Sequence, residues 1–136
     1  MLAYLAGRYS RIDELNCYAM ELRSRGHRVE ARWLLGNNQV HDGALAVEAA
    51  EDDVPDMGRL FAQDDLADVQ AADLVICFTE PPRSIHSRGG RHVEFGLALA
   101  LRKRIVVIGP RENVFYCLVE RYWTWSDFMA AEDQRS

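Results

Sequence analysis

Apolar residues along this chain fall into short unbroken runs and helix-spaced sets, and the two kinds of segment alternate. Residues 1–6 form an almost continuous apolar run, as a strand buried on both faces would, and Gly7 ends it. Ile12, Leu15, Tyr18, Ala19 and Leu22 then recur at helical spacing to about Arg25. Ser10 with Asp13 fits a capping box ahead of that helix, and Gly26 stands where a C-cap would. Residues 28–33 alternate polar and apolar, which predicts a short strand. Residues 34–57 carry Gly36, Asn37, Asn38, Asp42, Gly43 and Pro55, with a short helix around 44–50, and read as a lid or binding loop. A second helix is predicted from about Met57 to Ala72, with Ala62, Leu66 and Val69 on its apolar face. Next come a strand over 73–79, a loop, a helix from Gly90 to about Leu101 and a strand over 105–108. A last short strand around 119–123 precedes a helix capped by Thr124 and Asp127, and residues 132–136 read as a frayed tail.

Strands that alternate with helices imply a parallel sheet covered on both faces. With right-handed crossovers and five strands, the expected fold is an α/β three-layer sandwich over residues 1–131, in the flavodoxin- or Rossmann-like order 2-1-3-4-5. In that order the switch point falls between the strand ending at Ala6 and the strand ending at Thr79. The loops 7–10 and 80–88 then face one crevice, where ligands of open parallel sheets collect. Glu94, in the first turns of the helix after Gly89-Gly90, lies on its rim.

Composition narrows the class. The chain has 136 residues, 49% of them hydrophobic, which suits one domain with a real core. No apolar run approaches the roughly 20 residues of a membrane span, and the first residues do not read as a signal peptide. Cys17, Cys77 and Cys117 are widely spaced with no CxxC, so the reading is a reduced, cytoplasmic protein with thiols as core filler. The net charge of −5 argues against a nucleic-acid polymer as partner. One lysine stands against fifteen arginines, a bias that a GC-rich genome explains. Some of those arginines nevertheless lie in the crevice loops, where a planar guanidinium suits phosphate or carboxylate.

The candidate chemistry centres on carboxylates. Gly89-Gly90 lets a ligand approach the backbone, and the N–H groups of the next helix favour an anion. Glu94 near that end is either a functional carboxylate or an ordinary acidic residue stabilised by the helix dipole. Asp64, Asp65 and Asp68 form a second cluster; Asp65 borders the buried side, where partial burial would suit it to donate a proton. The other two read rather as a solvated acidic face. Two carboxyl groups with separate roles are the usual equipment for breaking a glycosidic bond. Gly7-Arg8-Tyr9-Ser10-Arg11 resembles a phosphate or sugar-hydroxyl cradle, with Ser10 as a plain N-cap the alternative. His92 and Glu94 are two apart on a helix and point different ways, so no metal pair is expected there, and no other His/Cys spacing suggests zinc; no cofactor is expected. Tyr116, Tyr122, Trp123, Trp125 and Phe128 read as core or subunit contact rather than a base-stacking platform.

Taken in order, Tyr4-Leu-Ala-Gly7, Asp64-Asp-Leu66 with Ala72-Asp73, Gly90 through Gly96 around Glu94, and Gly109-Pro110 resemble the nucleoside 2-deoxyribosyltransferase family, with its sibling deoxynucleoside 5′-monophosphate N-glycosidases. The resemblance implies that Glu94 attacks the anomeric carbon of a 2-deoxyribosyl group and that Asp65 binds and protonates the leaving base. It implies that Tyr4 orients the nucleophile. It also implies that Asn113 reaches a neighbouring subunit's site, hence a homo-oligomer. The sequence departs from the transferase pattern six positions before Glu94, where Arg88, beside Ser87, replaces an acidic residue. With Arg8, Ser10 and Arg11, and with Arg83 and His86 nearby, that tilts the expected substrate toward a nucleotide. Asp68, Gly7, Gly89 and Gly90 complete the expected substrate contacts, and Trp33, Asn37, Asn38 and His41 are candidates for base preference. The activity implied is cleavage of 2′-deoxynucleosides or their 5′-monophosphates in nucleotide salvage, with transfer of deoxyribose to another nucleobase; a 5′-monophosphate N-hydrolase, with water as acceptor, is the alternative. A non-catalytic nucleotide sensor on the same fold is the alternative of another class. A flavin or response-regulator-like domain is disfavoured, because the first loop is not a long Ser/Thr-rich phosphate loop.

Overall fold

The computed structural model describes residues 1–36, 58–81 and 89–135. The short helix expected around 44–50, and Asn37, Asn38, His41, Arg83, His86, Ser87 and Arg88, lie outside the described residues.

Five strands, β1 (Leu2–Ala6), β2 (Arg28–Val29), β3 (Leu74–Phe78), β4 (Arg104–Ile108) and β5 (Glu120–Tyr122), form one sheet in the order β2-β1-β3-β4-β5. Every pairing is parallel, with Tyr4 opposite Val75 and Cys77 opposite Val107. The central strands are apolar without alternation because helices cover both faces; all five residues of β3 are buried. Four described helices do the covering: α1 (Ile12–Ser24), α2 (Gly58–Ala71), α3 (Gly90–Ala100) and α4 (Trp125–Arg135). α1 and α4 meet over one face, where Tyr18 stacks on both Phe78 and Trp125, with ring centroids 5.5 and 4.4 Å apart. α2 and α3 pack against each other and against β1. The α/β fold and strand order are those expected from the alternation of runs and helical sets.

Local departures have local causes. The strand expected over 28–33 stops after two residues, and Arg32–Leu35 turns into a 3-10 helix. Trp33 and Leu34 are both buried, which an alternating strand cannot achieve, and the Trp33 indole N–H donates to the Leu5 carbonyl at 2.8 Å. On α2 the buried face is Asp68 and Val69, whereas Leu66 is 38% exposed and Ala62 also faces outward. The capping box at Ser10 does not form: a 3-10 turn, Tyr9–Arg11, precedes α1, whose N-cap is Arg11 with no side-chain cap. Thr124 does cap α4, its Oγ1 accepting the Asp127 N–H at 3.1 Å. Residues 132–135, expected as a frayed tail, continue α4, and Glu132 accepts a 2.7 Å bond from Arg104. Only Cys77 is core filler; Cys17 and Cys117 are exposed. Gly109, after β4, has φ +118°, and a Cβ there would lie 2.6 Å from Thr79 Oγ1, so only glycine lets the two strand ends meet. No described helix is long and apolar enough to cross a membrane.

Candidate active site

Tyr4 stands in the middle of β1, and the pleat turns its side chain toward the face covered by α2 and α3. There its hydroxyl donates to Glu94 Oε2, from the second turn of α3. Tyr4 is wholly buried. Burial first, then the negative charges of Glu94 and Asp65, push its phenol well above the usual range, so it stays a donor. Burial also raises the Glu94 carboxyl to about 8; the charge of Asp65 adds to this, while the Tyr4 hydrogen bond opposes it. The helix dipole, which would favour the anion, is outweighed at this depth. Asp65, partly buried on α2, thus acts electrostatically on both Tyr4 and Glu94. Three residues separated widely in sequence thus interact at one place, Tyr4 by its hydrogen bond to Glu94 and Asp65 through its charge. Cys77 lies behind them, fully enclosed, and burial and Glu94 hold its thiol protonated. It is no nucleophile.

The neighbouring acidic residues have other work. Asp68 Oδ2 accepts the Arg32 backbone N–H at 2.8 Å, and Oδ1 accepts from the Arg32 guanidinium at 2.9 Å. Asp64 accepts from the same guanidinium at 2.9 Å. The cluster is therefore not a solvated face: two of its members pin the 3-10 turn after β2 onto α2. Asp68, expected to touch substrate, has both oxygens engaged with Arg32.

At the carboxyl ends of β1 and β3, Gly7 packs against α1, where a Cβ would meet Leu15 Cδ2 at 2.9 Å. Arg11 lies over the Phe78 ring at 5.4 Å and is bidentate to Glu14, at 2.9 and 2.8 Å. Its Nη1 donates to Glu80 Oε2 at 2.9 Å and to the Thr79 carbonyl at 3.3 Å. Arg8 approaches Glu80 Oε1 at 4.0 Å, and Ser10 is exposed. The expected cradle thus contains an internal carboxylate.

At the start of α3, Gly89 is the N-cap in the left-handed region and Gly90 is exposed, with open space where a Cβ would be. Arg91 is buried against Glu112. Glu112 Oε1 also accepts the Glu80 N–H at 2.7 Å, and its Oε2 lies 3.2 Å from His92 Nε2. His92 Nδ1 pairs with the Tyr116 hydroxyl at 2.8 Å. One carboxylate thereby ties the end of β3, the start of α3 and the loop after β4 together. Sequence reasoning passed over Glu112 and Glu80; their one signal was a position in loops at the strand ends.

Asn113 accepts the Phe115 N–H at 2.9 Å and caps the 3-10 turn Val114–Leu118. It borders a cavity of about 310 Å³ with His92, Phe95, Gly96, Leu99 and Phe115. That cavity includes none of Tyr4, Asp65 and Glu94. Of the aromatics, Tyr116, Trp125 and Phe128 are core, whereas Trp123 is exposed beneath Arg121. Among the described residues, no group of three or more His, Cys, Asp and Glu side chains is placed to hold a metal ion.

No known family model matches the sequence, and no curated protein matches it. Solved structures do. A 2-deoxyribosyltransferase of Bacillus psychrosaccharolyticus superposes with a TM-score of 0.67 at 17% identity, over 94% of this chain and 90% of that one. A CMP N-glycosidase of Clostridium botulinum superposes with a TM-score of 0.60 at 17% identity, over all of both chains. At that identity the likeness establishes a shared α/β fold over nearly the whole length.

Proposed function

We propose that this chain is an N-glycosyl-cleaving enzyme of the 2-deoxyribosyltransferase family, acting on 2′-deoxynucleosides or their 5′-monophosphates. The observation that carries the reading is the buried Tyr4–Glu94 hydrogen bond with the charge of Asp65 beside it. Its backbone setting has the fold of a deoxyribosyltransferase and a CMP N-glycosidase.

In the proposed reaction a Glu94 oxygen bonds to C1′ as the C1′–N bond breaks, and the bonding electrons leave on the base nitrogen. Asp65 relays a proton from solvent to that base nitrogen. Tyr4 holds the nucleophilic carboxylate in line from the unused oxygen. The sugar ester is then opened at C1′ by a ring nitrogen of a second nucleobase, whose N–H proton leaves through Asp65 to solvent, and the carboxylate of Glu94 is regenerated. Water as acceptor is the second reading, favoured by the full-length likeness to an N-glycosidase. We further assign a second copy of the chain to the face around Asn113, where Val93, Val114, Phe115 and Leu118 are each at least 60% exposed.

Incubation with a panel of deoxynucleosides and their monophosphates, with and without a second free base, tests the reading by chromatography. A new nucleoside marks transfer, and free base with the sugar marks hydrolysis. Absence of any product from native protein, with ligand still bound, replaces the enzyme by a nucleotide sensor.

The electrostatics add a pH prediction. Glu94 must be ionised to attack, so kcat/KM should rise with pH through about 8. Tyr4 is the influence that lowers this pKa, so Tyr4→Phe should move the acid limb upward. At neutral pH it should also cost about ten- to a hundredfold in kcat/KM. A pH–rate profile of the two proteins checks both; an unmoved limb would remove Tyr4 from the role.

A further inference from the structure

Where Arg8 and Arg11 converge, the chain supplies its own anion. Glu80 Oε2 accepts from Arg11 at 2.9 Å, and Oε1 lies 4.0 Å from Arg8. The other edge of Arg11 is taken by Glu14. Two guanidiniums thus face two carboxylates, and the local charge sums to zero. Glu80 is well fixed: its backbone N–H is held by Glu112 at 2.7 Å, and its side chain is only 14% exposed. Its Oε1, 4.0 Å from Arg8 and so beyond hydrogen-bond reach of it, keeps lone pairs for a hydroxyl donor.

We propose that Glu80 is a specificity-determining residue, filling the position a 5′-phosphate would need between Arg8 and Arg11 and selecting a substrate with a free 5′-hydroxyl. This rests on the deoxyribosyl reading above, and within it names the substrate class as the 2′-deoxynucleoside. A phosphate dianion brought to this place meets a partly buried like charge, which water screens poorly. A hydroxyl meets an acceptor. The arginine-rich loop that reads in sequence as a nucleotide cradle is, on this account, neutralised from within.

The test compares kcat/KM for a deoxynucleoside and its own 5′-monophosphate in the wild type, Glu80→Gln and Glu80→Asp, alongside calorimetric titration of 2-deoxyribose 5-phosphate. The wild type should favour the nucleoside. Glu80→Gln should move the ratio toward the monophosphate by about ten- to a hundredfold and tighten the sugar phosphate by a similar factor. Glu80→Asp, which keeps the charge, should keep the preference. A wild-type preference for the monophosphate, a ratio unmoved in Glu80→Gln, or an equal shift in Glu80→Asp overturns the proposal and leaves the deoxyribosyl reading standing. Turnover of neither substrate, with tighter sugar phosphate in Glu80→Gln, supports the charge exclusion and removes the deoxyribosyl reading instead.

Discussion

Replacing Glu94 by glutamine is expected to lower kcat/KM for base release by about three to five orders of magnitude, while ligand binding and the fold persist. Glutamine keeps the shape and can still accept the Tyr4 hydroxyl, but an amide does not form the sugar ester. The same substitution should raise stability in a pH-dependent way. The carboxyl titrates near 8 in the folded protein against an ordinary 4.5. The native state therefore holds the proton more tightly, and the stability this group contributes is complete below about 4.5 and lost as pH rises through about 8. Glutamine does not titrate. The variant's unfolding free energy should exceed that of the wild type by a margin that grows over that window, by about 1.4 kcal/mol for each pH step of one, and its melting temperature should be higher in step. Loss of activity with this gain in stability separates a nucleophile from a structural carboxylate. A variant that still releases base at the native rate would make Glu94 a bystander.

Asp65→Asn should cost about 10²- to 10⁴-fold in kcat/KM on natural bases, the range for losing a general acid. The discriminating feature is how the loss depends on leaving group. A nucleoside whose base departs readily without a proton should be cleaved within about tenfold of the wild-type rate. Asp65 is also one of the influences that raise Glu94, so its neutralisation should move the acid limb of the pH profile below about 8, opposite to Tyr4→Phe. Equal losses on both kinds of substrate, with an unmoved limb, would assign Asp65 to the scaffold.

The sheet was legible in the sequence because its signals are local. Strand runs and helix-spaced sets are local patterns, and parallel topology then leaves few ways to arrange them. Tyr4, Asp65 and Glu94 lie on one central strand and on the two helices that pack over it; the two carboxylates stand out by their positions in the sequence, whereas Tyr4 is singled out only by the family resemblance. What remained hidden depends on contacts between units. Glu80 and Glu112 sit in separate loops and acquire meaning only once β3, α3 and the loop after β4 meet at Arg91. Leu66 reads as core because its spacing is helical, yet the buried side of α2 is turned toward Asp68 by Arg32, which arrives from the far side of β2. The strand over 28–33 failed similarly: Trp33 finds a partner in the Leu5 carbonyl, and that bond draws the chain into a turn. Local pattern predicted elements; long-range hydrogen bonds decided their edges.

The arginine-rich first loop shows the same limit in chemical form. Read alone, Arg8 and Arg11 are free cations awaiting a phosphate. In the fold Arg11 is surrounded by Glu14, Glu80 and the Thr79 carbonyl, and its guanidinium is held more firmly in the charged state. Charge counted along a loop is a poor guide to charge offered to a ligand.

The central claim is a covalent bond between C1′ of a deoxyribosyl group and a Glu94 oxygen. Incubation with a 2′-fluorinated arabinosyl nucleoside, which slows opening of the ester, followed by peptide mass mapping, tests it directly. One added sugar per chain is expected, on the peptide that carries Glu94, and none on Glu94→Gln. An adduct on another side chain, or release of base with no adduct at any time, would contradict it.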